Sequence, residues 1–278
     1  MNVSADPHPV HQRSASIRLA LDALTPFTRR AIADAVRLAA RSGGRIDCVF
    51  VEQIALLRAA SLPATRELSL SGLASRPLQA SDIEQALHRE AQEARRLLAA
   101  QAKAAGLSWS FDIVRGALIE EALRHADPQD LLLAAIAGSE PEPAAASRPG
   151  HVPAARPLLA LVDDATLELP TLRTLLRALL PASVAVWATG PAASQRQDLD
   201  AQISALAAEL GRPANRLESA PGPDAAALLT TLAATLDQLR PQALTMRRDI
   251  LAGLAAELGW TMRRRPSLLV GIPRPRGH

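Results

Sequence analysis

The sequence of 278 residues has few aromatic side chains and a single cysteine. It contains no Tyr, three Trp and three Phe, so its core has to be built from Ala, Leu, Ile and Val. Cys48 stands alone, which excludes an intramolecular disulfide and a thiolate metal cluster. Because Cys48 lies in an apolar run, we expect an inert buried thiol rather than a redox sensor.

Long hydrophobic runs are also absent. No stretch approaches the ~18 uninterrupted apolar residues of a membrane span. The N-terminal sequence MNVSADPHPVHQRSAS lacks the apolar segment of a signal peptide. The sequence therefore predicts a cytoplasmic protein without membrane contact, with residues 1–16 as a disordered tail.

A large excess of one charge is missing as well. The pI is near 10.2, but the formal net charge is only +3. Thirty of the 31 basic residues are Arg, which does not deprotonate, and no Tyr lowers the pI. The high pI therefore does not indicate a basic surface, and nucleic acid is not an expected partner.

Common catalytic motifs are absent too. The sequence has no G-x-S-x-G, HExxH, P-loop or GxGxxG, so hydrolase, zinc-protease and kinase functions have no motif support. Glu120 and Glu121 are adjacent on a predicted helix, and we expect them to point apart into solvent. His88 and His125 are flanked by charges and are expected at a surface or interface.

The most informative stretch that is present runs from Gly106 to Gly138. It predicts a strand at Trp109–Val114, a helix at Ala117–Ala126 and a strand at Leu131–Ile136. The last of these strands is an unbroken apolar run. Such strands are typical of a parallel sheet that is covered on both faces.

A βαβ unit is also predicted at the start of the chain. Strands at Ile17–Leu21 and Ile46–Val51 flank a helix that opens at Thr25-Pro26. Thr25 is the expected N-cap, and proline is well tolerated in the first turn. The connection between the two strands is expected to be right-handed.

The connection Glu52–Ala80 is long, with a helical turn predicted around Ile54–Ala60. After it, Ser81 and Glu84 have the spacing of a capping box, which predicts a long amphipathic helix that ends at Gly106. The first half therefore runs β-α-β-loop-α-β-α-β.

The pattern restarts after a Pro/Ala-rich linker, SEPEPAAASRPGHVPAA. It predicts an α/β protein of two tandem doubly wound domains with mainly parallel sheets, at 17–138 and 157–273, joined by residues 139–156. The strand at 157–162 could complete either sheet; the helix that follows at once favours the second. The further predicted elements are helices at 167–180, 194–210, 224–236 and 250–258, and strands at 183–188, 216–219, 243–246 and 267–272.

These halves resemble a tandem pair of universal stress protein domains. The resemblance lies in the strand-terminal Asp of LALDALTPFTRRAI and of LLALVDDATLELPTLRTLL, and in VRGALIEEAL followed by a DLLL strand. It covers nearly the whole chain outside the tail and the linker. It implies a doubly wound sheet and, as in many members, ATP bound at the carboxyl ends of the first and fourth strands, where the strand order reverses.

The resemblance also implies candidate site residues. Asp22 corresponds to the Asp that closes the first strand, and Asp163 or Asp164 to its counterpart in the second half. Val51 corresponds to the residue near the adenine. An acid at this position could contact a ligand or cap the helix that follows it.

The phosphate-binding part of the family pattern is not matched. ATP-binding members carry a glycine-rich run after the fourth strand, but this chain has only Gly138 and Ser139 before the sequence EPEP. Two carboxylates and two prolines are unsuited to holding a triphosphate. The second half has Arg247 and Arg248 at this place and no glycine; they could attract an anion or form a solvated basic turn.

Two function classes follow from the resemblance. The first is a non-catalytic stress-response regulatory or interaction protein with a degraded ATP site and no cofactor. The alternative is an ATP-binding member that uses Asp22. In relatives the fifth strand pairs between subunits, so its absence from the first half implies that the two domains pack on each other. A homodimer and an unidentified protein partner stay open.

Overall fold

The computed structural model describes residues 16–62, 65–68, 75–138, 156–162, 165–189, 196–217, 225–262 and 267–273. The described strands are β1 Ile17–Leu21, β2 Ile46–Gln53, β3 Arg66–Leu68, β4 Ser75–Pro77, β5 Trp109–Gly116, β6 Leu131–Ile136, β7 Leu158–Val162, β8 Val184–Ala188, β9 Ala214–Arg216, β10 Ala243–Arg247 and β11 Ser267–Ile272. The described helices are α1 Pro26–Ser42, α2 Ile54–Ala60, α3 Ala80–Ala104, α4 Leu118–His125, α5 Ala165–Leu179, α6 Arg196–Leu210, α7 Ala225–Leu239, α8 Arg248–Gly253 and α9 Ala255–Met262.

Nine of these strands form one sheet, in the order β5-β2-β1-β6-β11-β10-β7-β8-β9, and β3 pairs with β4 as a separate hairpin. Within the block β5-β2-β1-β6 all pairs are parallel, and Leu19 lies between Cys48 and Leu133. Cys48 is fully buried, and burial raises the pKa of its thiol. The thiol is therefore kept in its unreactive protonated form, as expected from the sequence.

The second block, β11-β10-β7-β8-β9, is also parallel within itself, and β7 lies between β10 and β8. The two blocks meet where β11 pairs antiparallel with β6, with Leu133 opposite Val270. The second block therefore runs in the opposite direction to the first. The carboxyl ends of β10 and β11 lie at the amino end of β6.

Helices cover both faces of this sheet. One face buries α1, α3, α5 and α6, with α1 packed against α3 and α5. The other buries α4, α7, α8 and α9, with α4 in contact with α8 and α9. The fold is thus an α/β sheet, mainly parallel and covered on both faces, as the unbroken apolar strands predict. None of the described helices is both long and apolar enough to span a membrane.

The start of α1 follows the predicted capping chemistry. The Thr25 hydroxyl accepts a hydrogen bond from the backbone N–H of Thr28 at 3.2 Å, and the Thr28 hydroxyl accepts one from the N–H of Thr25 at 2.8 Å. Pro26 occupies the first helical position, where its missing N–H costs nothing. Gly43, with φ of 63°, ends the helix in the left-handed conformation.

The predicted capping box at the start of α3 is wrong. The helix begins at Ala80, and its N-cap Gln79 makes no side-chain capping bond. Glu84 instead accepts a hydrogen bond from Arg115 at 3.1 Å, so its carboxylate is held by the edge strand β5.

Other features also differ from the sequence-based expectation; the strand predicted at 216–219, for example, is Ala214–Arg216. Ser16, assigned above to the tail, is buried and donates its hydroxyl to Asp130. The helix predicted at 250–258 is two helices that meet at Leu254. The long connection after β2 contains the hairpin β3–β4 as well as α2. Residues 1–15 and the linker residues 139–155 lie outside the described part of the chain.

Candidate functional site

Asp22 follows β1 directly and lies at the carboxyl edge of the first block, where the strand order reverses between β1 and β6. It is buried, and its Oδ2 accepts a hydrogen bond from Gln53 Nε2 at 2.6 Å. The register of β1 and β2 pairs Leu21 with Phe50, which places Val51 beside Asp22 on the neighbouring strand. Gln53 is two residues further along β2 than Val51, on the same face of the strand.

A cavity of about 280 Å³ opens at this edge. Five elements or their flanks contribute to it: the ends of β1 and β6, the helices α2 and α4, and α9 from the second block. The described residues that line it are Asp22, Ala55, Ala117, Leu118, Ile119, Glu120, Ile136, Ala256 and Gly259. Most of these described lining residues are apolar, and the two ionisable side chains among them are both carboxylates.

The first turn of α4 forms one wall of the cavity. Its N-cap, Ala117, has no side chain that could cap the helix, so the first-turn N–H groups depend on other acceptors. Glu120 reaches the cavity from this turn. The turn therefore combines a partial positive charge from the helix backbone with a full negative charge from the Glu120 side chain.

Glu121 behaves differently from its neighbour. It is only 5% exposed, and its side chain lies over Gly116, where any Cβ would collide with it. Its carboxylate pairs with Arg124, and His125 Nε2 lies 3.6 Å from it. The expectation that both glutamates point into solvent is therefore wrong, because the missing side chain at Gly116 leaves room for a buried carboxylate.

The other sequence-predicted site residues are placed less directly. Val51 is fully buried in β2, and Gly138 follows β6 with φ of 71°. Neither is among the described residues that line the cavity. Ser139, Asp163 and Asp164 lie outside the described residues.

In the second block, both arginines of the predicted basic turn are engaged by the protein. Arg247 Nε donates to Asp249 Oδ1 at 2.9 Å, and this hydrogen bond holds the pKa of the Asp249 carboxyl below its usual value. Arg248 donates to the carbonyls of Ala126, at 3.2 Å, and Asp127 in the loop before β6. A freely solvated basic turn is therefore not what the structure contains.

The stem of Arg248 reaches that loop by crossing β11 at Gly271. A Cβ at Gly271 would lie 2.9 Å from Cγ of Arg248 and 3.2 Å from Cβ of Leu132. The absence of a side chain at Gly271 therefore leaves space for Arg248, whose hydrogen bonds connect the second block to the loop before β6.

A second charged cluster lies at the amino ends of β1, β2 and β5. Asp47 is buried there and accepts hydrogen bonds from Arg45 Nε at 3.1 Å and Ser110 Oγ at 2.6 Å. Burial opposes ionisation of Asp47, but these donors, with Arg18 nearby, outweigh it and lower the pKa of the carboxyl. The cluster is closed by its own ion pairs and lies at the opposite end of the block from the cavity.

The candidate site is therefore the cavity at Asp22. Gln53, which fixes the Asp22 carboxylate, escaped the sequence analysis; its position two residues after Val51 was the available signal. Within the described ranges no three His, Cys, Asp or Glu side chains converge as metal ligands.

The architecture and the site position define an open, doubly wound α/β protein with a cavity at a point of strand-order reversal. No family model matches the sequence. No curated protein matches it either.

Solved structures to which the chain is similar include a universal stress protein from Archaeoglobus fulgidus, with 12% identity and a TM-score of 0.43, covering 94% of this chain and 97% of that one. A universal stress family protein from Burkholderia pseudomallei has 12% identity and a TM-score of 0.26, covering 75% and 98%. A protein of unknown function from Pseudomonas aeruginosa has 14% identity and a TM-score of 0.38, covering 93% and 92%. Two of these three structures are described as universal stress proteins.

Proposed function

We propose that the chain is a universal stress protein-like, non-catalytic regulatory or interaction protein of the cytoplasm, with a degraded ATP site. The observation that carries this proposal is the lining of the cavity at Asp22. Among the described lining residues the ionisable groups are the carboxylates of Asp22 and Glu120, and none of these residues is basic.

The charge of this lining disfavours a triphosphate. At an effective dielectric constant of about 20, a phosphate charge about 6 Å from a carboxylate is repelled by about 3 kcal/mol. ATP carries several phosphate charges and the described lining has two carboxylates, so the total repulsion is larger than that of this single pair. Arg247 and Arg248 cannot compensate, because they are held by Asp249 and by the loop before β6.

We further propose that the chain is built as two tandem domains, 17–138 and 157–273. The strand orders support this division: β5-β2-β1-β6 in the first block corresponds to β9-β8-β7-β10 in the second, with β11 as an additional strand. In this arrangement β11 pairs with β6, which has no fifth strand of its own block beside it. A protein partner and a homodimer remain predictions for pull-down and light-scattering experiments.

The second candidate function is ATP binding through Asp22. One observation favours it, namely the first turn of α4, which lacks a capping side chain and faces the cavity. Such a helix start attracts phosphate groups. A magnesium ion held by Asp22 would then have to offset the repulsion by the carboxylates.

Calorimetric titration with ATP–Mg²⁺ separates the two functions. The purified protein is first checked for folding by circular dichroism and for co-purified nucleotide by its absorbance spectrum. We expect no heat of binding at micromolar protein. Micromolar binding that is lost in Asp22→Ala would overturn the proposal in favour of the second candidate.

A further inference from the structure

The cavity at Asp22 has the chemistry of a site for a small cation. We propose that it binds a primary ammonium compound with a short apolar body, the ammonium group facing Asp22 and Glu120. The inference rests on the proposed function, since it takes the site to be closed to triphosphates. It adds the class of ligand that the site accepts.

The polar part of the cavity favours a donor-rich head group. Asp22 is 6% exposed, and Gln53 fixes its carboxylate from one side at 2.6 Å. A carboxylate offers about four acceptor positions, and a primary ammonium offers three N–H donors. Charge-assisted hydrogen bonds of this kind are about twice as strong as neutral ones. Glu120 supplies a second negative charge from α4.

The rest of the lining favours a compact aliphatic body. Leu118, Ile119 and Ile136 present branched side chains, and the remaining lining positions are Ala or Gly. The volume of about 280 Å³ lies just under the range of about 300–1,000 Å³ that is usual for drug-sized ligands. A chain of about four to six carbons is therefore the appropriate size.

The lining also discriminates between kinds of cation. Quaternary ammonium groups are recognised by aromatic side chains, and the described lining contains none. A trimethylammonium group has no N–H to donate to a carboxylate. The cavity should therefore prefer a primary ammonium to its trimethylated form.

Such a ligand would contact both blocks of the sheet. Ala256 and Gly259 of α9 complete the cavity from the second block. A Cβ built on Gly259 would lie 3.7 Å from Cδ1 of Ile119, so α9 and α4 approach closely at the cavity wall. A ligand held there should therefore resist separation of the two helices and raise the melting temperature of the whole chain.

Four probes with one body and different head groups test the proposal: n-butylammonium, butyltrimethylammonium, 1-butanol and butyrate. Each is titrated into the full chain at constant ionic strength, with heat of binding and melting temperature as readouts. We expect saturable binding and a higher melting temperature with n-butylammonium alone. Asp22→Asn and Glu120→Gln should each weaken that binding about tenfold or more, as expected when a charge-assisted hydrogen bond is lost.

Asp112→Asn is the matched control, because it removes the same charge from an exposed position on β5 outside the cavity lining. It should bind n-butylammonium as the wild type does. Circular dichroism and melting without ligand establish that each variant is folded. If Asp22→Asn does not fold, the binding of n-butylammonium to Glu120→Gln decides the test. Gly259→Val, which takes up cavity space without changing charge, should also abolish binding.

Equal responses to all four probes would overturn the proposal, as would unchanged binding of n-butylammonium in the cavity variants or equal weakening in Asp112→Asn. The proposal would also be overturned if none of the four probes bound. The proposed function fails on a different result, which is micromolar binding of ATP–Mg²⁺. The two failures are therefore distinguishable.

Discussion

Leu133 lies at the centre of the nine-stranded sheet, and its truncation should destabilise both blocks together. It is fully buried in β6, opposite Leu19 of β1 on one side and Val270 of β11 on the other. A Leu→Ala change at such a site removes buried methyl groups and leaves a cavity, which costs about 2–5 kcal/mol. Because the sheet continues through β6 and β11, we expect this loss in the unfolding of the whole chain.

Tryptophan fluorescence in urea can follow each block separately. Trp109 lies in β5 at one edge of the sheet, and Trp187 is buried in β8 near the other. Two parent proteins each keep one of these residues, with Phe replacing the other and Trp260. Leu133→Ala is then introduced into both parents. The free energy of unfolding should fall by the same amount in each, at an unchanged denaturant slope.

If Leu133→Ala left the midpoint of the transition reported by Trp187 unchanged, this reasoning would be refuted, because the second block would then unfold independently of the β6–β11 pairing. Leu206→Ala, a buried change in α6, provides the reciprocal test. Since it lies in the second block, it should lower the transition reported by Trp109 as well. A loss below ~1 kcal/mol for Leu133→Ala would mean that the packing around β6 is less tight than the structure shows.

Three further changes have expected outcomes. Gly259→Ala should raise the free energy of unfolding by about 0.5–1 kcal/mol in urea titration, because it improves helix propensity and its Cβ meets the nearest side chain at an ordinary 3.7 Å. Asp47→Asn should reduce the loss of stability in acid. The lowered pKa of Asp47 gives stability that is present above its unfolded value of about 3.9 and is lost as pH falls through the folded pKa, and the variant lacks this contribution. The measurement is the free energy of unfolding at a series of pH values between about 2 and 5. A variant whose free energy of unfolding changes with pH as steeply as that of the wild type would contradict this prediction. Arg248→Ala should cost about 1–3 kcal/mol in melting experiments through its lost bonds to backbone carbonyls, whereas Arg247→Ala, which breaks the ion pair with nearby Asp249, should cost at most about 1 kcal/mol.

Much of the fold could be predicted because its signals are local. Unbroken apolar runs such as Leu131–Ile136 indicate strands that are buried on both faces, and Thr25 before Pro26 indicates the start of α1. The position of Asp22 at a strand end followed from the same local pattern. Each of these features depends on residues that are close together in the sequence.

The remainder depends on contacts between distant residues. The antiparallel pairing of β6 with β11 joins residues more than 130 positions apart, and no local pattern specifies its direction. In the sequence, Gln53 is a polar residue at the end of a strand, and nothing local distinguishes it. Its contact with Asp22 depends on the register of β1 and β2. The burial of Glu121 likewise depends on the space above Gly116.

The reversed direction of the second block has a consequence for how this protein can be dissected. It brings α9, which precedes β11, to the carboxyl edge of β6, so the wall at Ala256 and Gly259 is supplied from the far end of the chain. A fragment ending at Gly138 would lose that wall and would also expose the backbone of β6 as an open sheet edge. The cavity belongs to the complete chain, and its ligand chemistry has to be measured there.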